Sequence, residues 1–124
     1  MTFLEKDTHI ENIKLVSKIL QKSALFPVNN MSSPEDIFKQ YINFIETPEI
    51  GKKTIINILG LLSESKKGLT KTTIKRSLKI KLSIVEYTLK MFEGIILETK
   101  MGYLIISQRV KQYIQKILEE EMPD

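Results

Sequence analysis

The chain of 124 residues contains no cysteine and no tryptophan, and only one histidine, His9. Without cysteine there are no disulfides, no thiolate zinc sites and no cysteine nucleophile. One histidine cannot build a histidine-rich metal site. It also offers no choice of partners for a Ser-His-Asp triad. No apolar run reaches about 18 residues, so no transmembrane helix is expected. Glycine-rich phosphate loops are absent, and the paired carboxylates are sequence neighbours on exposed ends with no sign of a pocket for acid-base work. These absences argue against an enzyme and against any cofactor. The opening segment Met1-Thr2-Phe3-Leu4-Glu5-Lys6-Asp7 lacks the apolar stretch of a signal peptide, so a cytoplasmic location with no membrane association is expected.

Hydrophobic residues make up 42% and charged residues 27%, a balance that supports one globular core. The net charge is +4, but it is unevenly spread. Residues 1–51 carry a net of −2, residues 52–118 a net of +10, and residues 119–124 a net of −4. In the basic middle, fourteen Lys and Arg stand against four acids, Glu64, Glu86, Glu93 and Glu98. A basic segment between acidic ends suggests a polyanion-binding module on a separate scaffold, although a Lys-rich solvated surface has the same composition.

Hydrophobic spacing sets the elements. Thr8-His9-Ile10-Glu11 has the form of a capping box, and an apolar stripe from Ile10 to Leu20 predicts a helix over 8–25. Ser33-Pro34-Glu35-Asp36 opens a second helix whose apolar face is Ile37, Phe38, Tyr41, Ile42 and Ile45. Lys52 to Leu62 is apolar almost all round and predicts a buried central helix. A short basic helix over 70–79 turns Ile74 and Leu78 inward. Lys79 to Leu82 forms a turn, and Ser83-Ile84-Val85-Glu86, a second capping box, starts a helix over 83–93 that Gly94 ends. Residues 95–99 and 103–107 read as strands around a Lys100-Met101-Gly102 turn. A last helix over 108–119 carries Val110, Tyr113, Ile114, Ile117 and Leu118, and the acidic tail frays.

This order predicts a mostly α fold with a small antiparallel β-hairpin: a winged helix-turn-helix domain over 51–124 and an N-terminal helical extension over 1–50. The buried helix is the platform. The basic helix crosses a phosphate backbone with Lys71, Thr72, Lys75, Arg76 and Lys79, and Lys81 sits in the turn. Ser83, Tyr87 and Lys90 fall on the side of the next helix that faces a major groove, together with Glu86. Lys100 marks the wing tip. About five phosphate contacts would give a salt slope near −4 to −5.

The segments Gly68-Leu69-Thr70-Lys71-Thr72-Thr73-Ile74, Leu82-Ser83-Ile84-Val85-Glu86-Tyr87-Thr88-Leu89 and Gly94-Ile95-Ile96-Leu97-Glu98 resemble winged-helix transcriptional regulators of the MarR and ArsR kind, including small archaeal members. The resemblance covers residues 52–118. It implies a Gly-Ile step between the recognition helix and the wing, double-stranded DNA as the partner, and a role in transcription regulation. A single Lys beside Glu86 on the recognition helix, and a short wing turn with few charges, favour phosphate contact over base readout. A homodimer on a palindromic site is expected, with the stripes of helices 8–25, 34–46 and 108–119 as interface candidates. The alternative is a winged-helix protein-interaction adaptor in a transcription, replication or membrane-remodelling complex.

Overall fold

The computed structural model describes residues 34–121. The helix expected over 8–25, His9 and the last three residues lie outside that range. The described chain runs α1 (Pro34–Ile45), α2 (Lys52–Glu64), α3 (Lys71–Leu78), α4 (Leu82–Met91), β1 (Ile96–Thr99), β2 (Gly102–Ile105) and α5 (Gln108–Glu121). This is the mostly helical, hairpin-bearing layout of a winged helix, as the periodicity predicts.

Helix α1 begins on Pro34, whose fixed φ suits the first helical position, and carries Glu35 and Asp36 where the helix dipole favours acids. Ile37, Phe38, Tyr41, Ile42 and Ile45 are all buried. Helix α2 follows Gly51, which offers no side-chain cap. The Glu46 carboxylate accepts from the Lys52 amide at 3.2 Å instead, satisfying a donor that the helix leaves open. Ile55, Ile56, Ile58, Leu59 and Leu62 of α2 are buried, so this helix is the hub. Gly60 lets α5 approach: a Cβ there would lie 2.9 Å from Leu118 Cδ1.

One hydrophobic cluster runs from Ile37 on α1 to Ile117 on α5. The ring of Phe38 packs on Phe92 at 5.6 Å and on Tyr113 at 6.3 Å, and Tyr41 meets Phe92 edge-on at 5.3 Å. Helix α1, from the expected N-terminal extension, shares this core, and its stripe closes the base of the winged domain. The stripes on 34–46 and 108–119 are covered for the same reason, inside the monomer. Ion pairs brace this base: Lys39 with Glu120, Lys52 with Glu121 at 3.0 Å, and Lys116 with Glu35 at 2.9 Å.

The wing is shorter than the apolar runs imply. Ile95 falls in the turn after α4, where its amide donates to the Phe92 carbonyl at 3.0 Å. Pairing runs from Ile96↔Ile105 to Thr99↔Gly102, leaving a two-residue turn at Lys100 and Met101. The Thr99 hydroxyl accepts from the Met101 amide at 3.1 Å and donates to the Gly102 carbonyl at 2.8 Å. Gly102 thus opens β2 instead of belonging to the turn. It takes a φ of +124°, and a Cβ there would lie 2.4 Å from the Leu69 carbonyl carbon. That approach has a purpose. Leu69 and Tyr103 exchange both backbone hydrogen bonds, at 2.8 and 2.7 Å, so the loop before α3 adds a one-residue rung to the wing.

Candidate nucleic-acid interface

The helix-turn-helix is built on two local devices. Thr70 caps α3, its hydroxyl accepting from the Thr73 amide at 3.1 Å. At the other end Lys79 takes the left-handed conformation, φ 55° and ψ 48°, and is the one non-glycine residue with positive φ among the described residues. That conformation costs of order 1 kcal/mol in a non-glycine residue. Its amide and that of Ile80 return to the Lys75 carbonyl, which reverses the chain into α4.

Helix α4 begins at Leu82, one residue before the expected start. Lys81 occupies the N-cap and makes no side-chain cap bond, so the capping box expected at Ser83–Glu86 does not form. Ser83 sits inside the first turn. The Glu86 side chain turns to Lys71 on α3, with Nζ 3.3 Å from Oε2. The helix ends at Met91. Phe92 is its C-cap, and Gly94 turns the chain into the wing at φ +106°.

The expected site residues separate into three groups. Thr72, Lys75, Arg76, Lys79, Lys81, Ser83, Lys90 and Lys100 are exposed. The six cations in this group form no ion pair among the described residues. Lys71 is the exception among the cations: its hydrogen bond with Glu86 holds its ammonium charged, with a pKa above the ordinary lysine value. It thus faces a carboxylate of the same molecule, whereas the six exposed cations face solvent.

Tyr87 departs from the expected groove side. It is half-buried, and its hydroxyl donates to the Ile45 carbonyl at 2.6 Å. From the opposite helix, the Tyr41 hydroxyl donates to the Met91 carbonyl at 2.7 Å. Each tyrosine thus satisfies a carbonyl that the other helix leaves open at its C-terminus. Burial pushes both hydroxyls up, Tyr41 to about 12. Tyr87 positions α4 on α1. Thr88 is turned fully inward, its hydroxyl satisfied by the Ile84 carbonyl at 3.1 Å.

Two further lysines join the site without any signal in the local sequence. Gly68 lies against Gly102, its would-be Cβ 3.2 Å from the Gly102 carbonyl carbon, so the loop carrying Lys66 and Lys67 adjoins the turn carrying Lys100. Both lysines are exposed. What brings them in is a long-range backbone contact, which no local pattern announces.

Between α4 and the wing runs a groove of about 570 Å³, lined by Lys71, Glu86, Lys90, Glu93, Glu98 and Tyr103 over a floor of Leu89 and Ile96. Three of the four acids in residues 52–118 therefore meet here. The Tyr103 hydroxyl donates to Glu98 at 3.2 Å. Phosphate would be repelled along this groove, whereas α3 itself contains no acid.

Comparison of the chain with protein-family models, curated proteins and solved structures finds no match. Among the described residues no helix is long and apolar enough to cross a membrane, and no cluster of metal-ligating side chains occurs.

Proposed function

We propose that this protein binds double-stranded DNA as a cytoplasmic transcriptional regulator, with phosphate contacts from α3, the following turn and the wing end, and with α4 in the major groove. One observation carries the reading. Lys75, Arg76, Lys79 and Lys81 stand exposed and unpaired, among the described residues, on the helix and turn that precede a reading helix. Cations left open in this way can replace the counterions of a phosphate backbone, and that exchange is the main source of sequence-independent affinity. Lys66, Lys67 and Lys100 supply a second contact beyond the groove, where a wing meets the flanking backbone.

The reading includes a homodimer on a palindromic site. Since α1 and α5 bury their apolar stripes within the monomer, those stripes are not available to it. Titration of random and genomic duplexes at low salt tests DNA binding directly, and absence of any shift at micromolar protein would falsify it.

A second reading, a protein-interaction adaptor, is favoured by the outer face of the wing. Leu97 pairs with Leu104 on the side away from the core. Leu97, Ile106 and Met101 are exposed to 46%, 60% and 64%. Apolar surface of this kind is a common mark of protein contact. Recovery of one stoichiometric protein, insensitive to nuclease, would favour this reading over the first.

A further inference from the structure

Helix α4 presents Ser83, Glu86 and Lys90 to solvent. A carboxylate on a reading helix weakens every phosphate contact near it, yet Glu86 stands on α4 with a partner on α3. Lys71 reaches one of its oxygens, Oε2, at 3.3 Å from the neighbouring helix, and the side chain remains 50% exposed. The other oxygen, Oε1, accepts no hydrogen bond among the described residues.

A carboxylate only accepts hydrogen bonds, and an ammonium only donates them. In the major groove guanine offers N7 and O6, both acceptors, while thymine offers O4 and a methyl group. Adenine offers a donor, N6, beside the acceptor N7, which a carboxylate opposes. Cytosine N4 is the donor that suits Glu86, and guanine O6 and N7 suit Lys90. The two residues are four apart on one helix face, about 6 Å along its axis, close to two base-pair steps.

We infer that Glu86, positioned by Lys71, selects cytosine, and that Lys90 selects guanine at a separate position one or two steps away. The partner is then a duplex with G·C pairs under α4. This inference rests on the DNA-binding reading and adds base selection to it. Glu86 and Lys90 are the specificity residues; Lys71 is a positioning residue.

In vitro selection from a random duplex library, followed by titration of the selected duplex and its single-base changes, tests it with the full chain. Replacing the selected cytosine is expected to weaken binding about 5- to 150-fold. Glu86→Gln should move the preference at that position from cytosine to adenine, because an amide pairs with adenine N6 and N7. Lys90→Ala should level the guanine position alone. Lys71→Met should broaden the Glu86 position and leave the Lys90 position sharp, an effect that a general loss of structure would not produce. Unchanged thermal melting of each exposed-residue variant confirms that the fold is intact. Binding of the library with no enriched base, or an unchanged preference in Glu86→Gln, overturns the inference while the DNA-binding reading stands. No binding of any duplex at low salt overturns both.

Discussion

At the helical base, lysines face carboxylates of another helix: Lys39 meets Glu120, Lys52 meets Glu121 and Lys116 meets Glu35. On the helix-turn-helix side, Lys75, Arg76, Lys79 and Lys81 are exposed and have no such partner among the described residues. Among the described residues Lys71 alone on that side is paired, and its partner is Glu86. The same residue type thus has two uses, which net charge does not distinguish. A lysine already facing a carboxylate has less to gain from a polyanion than one facing water. Its ion pair contributes little stability either, since exposed pairs are worth about 0–1 kcal/mol. The base is held together by its core, and the helix-turn-helix side leaves its cations facing solvent.

The largest effect should come from breaking the base. Phe38 is fully buried and touches the rings of both Phe92 and Tyr113. Phe38→Ala is expected to cost about 3–5 kcal/mol, measured by chemical denaturation. The opposite side is tested by charge. Neutralising Lys75, Arg76 and Lys79 together to glutamine should reduce the salt slope of DNA binding by about 3, with stability changed by no more than about 0.5 kcal/mol per residue. An unchanged slope would place the phosphate contacts elsewhere.

Alkaline titration sharpens the contrast. Tyr41 has a pKa raised from 10.0 to about 12 by burial and then by neighbouring Tyr87. The folded state therefore holds its proton where the unfolded state releases it. Stability from this group is complete below pH 10 and declines as pH rises from 10 to about 12. Tyr41→Phe should flatten that decline in a denaturation series. The smallest effects belong to the braces. Lys39→Met and Lys116→Met should each change stability by about 1 kcal/mol or less and leave DNA affinity untouched, provided the two sides are as separate as their charges suggest.

Much of this fold is legible in the sequence because it is local. The apolar spacing in α1, the all-round apolar α2, Thr70 before α3 and Gly94 after α4 each act within a turn or two of chain. What local pattern does not reveal depends on residues far away. Tyr87 lies at the border of the α4 stripe, and only the arrival of the α1 C-terminus decides which way it faces. Thr88 turns inward because its hydroxyl can bond back to Ile84, an option that hydrophobic spacing does not register. Glu86 resembles a cap in sequence, yet Lys71 on another helix claims it. The wing tip reads as poor in charge because Lys66 and Lys67 join Lys100 only through the contact of Gly68 with Gly102. The candidate interface is thus readable as an inventory of exposed cations, but its acid-lined groove is not.

The Leu69–Tyr103 rung has a consequence for how the molecule assembles and opens. Its two residues are separated in sequence by all of α3 and α4, so closing it carries the loop entropy of the entire reading unit. It should form late in folding and be among the first contacts to open. The amide protons of Leu69 and Tyr103 would then exchange with solvent only when the hairpin swings away from α3. Their exchange rates would report, in solution and without any ligand, how often the wing is undocked.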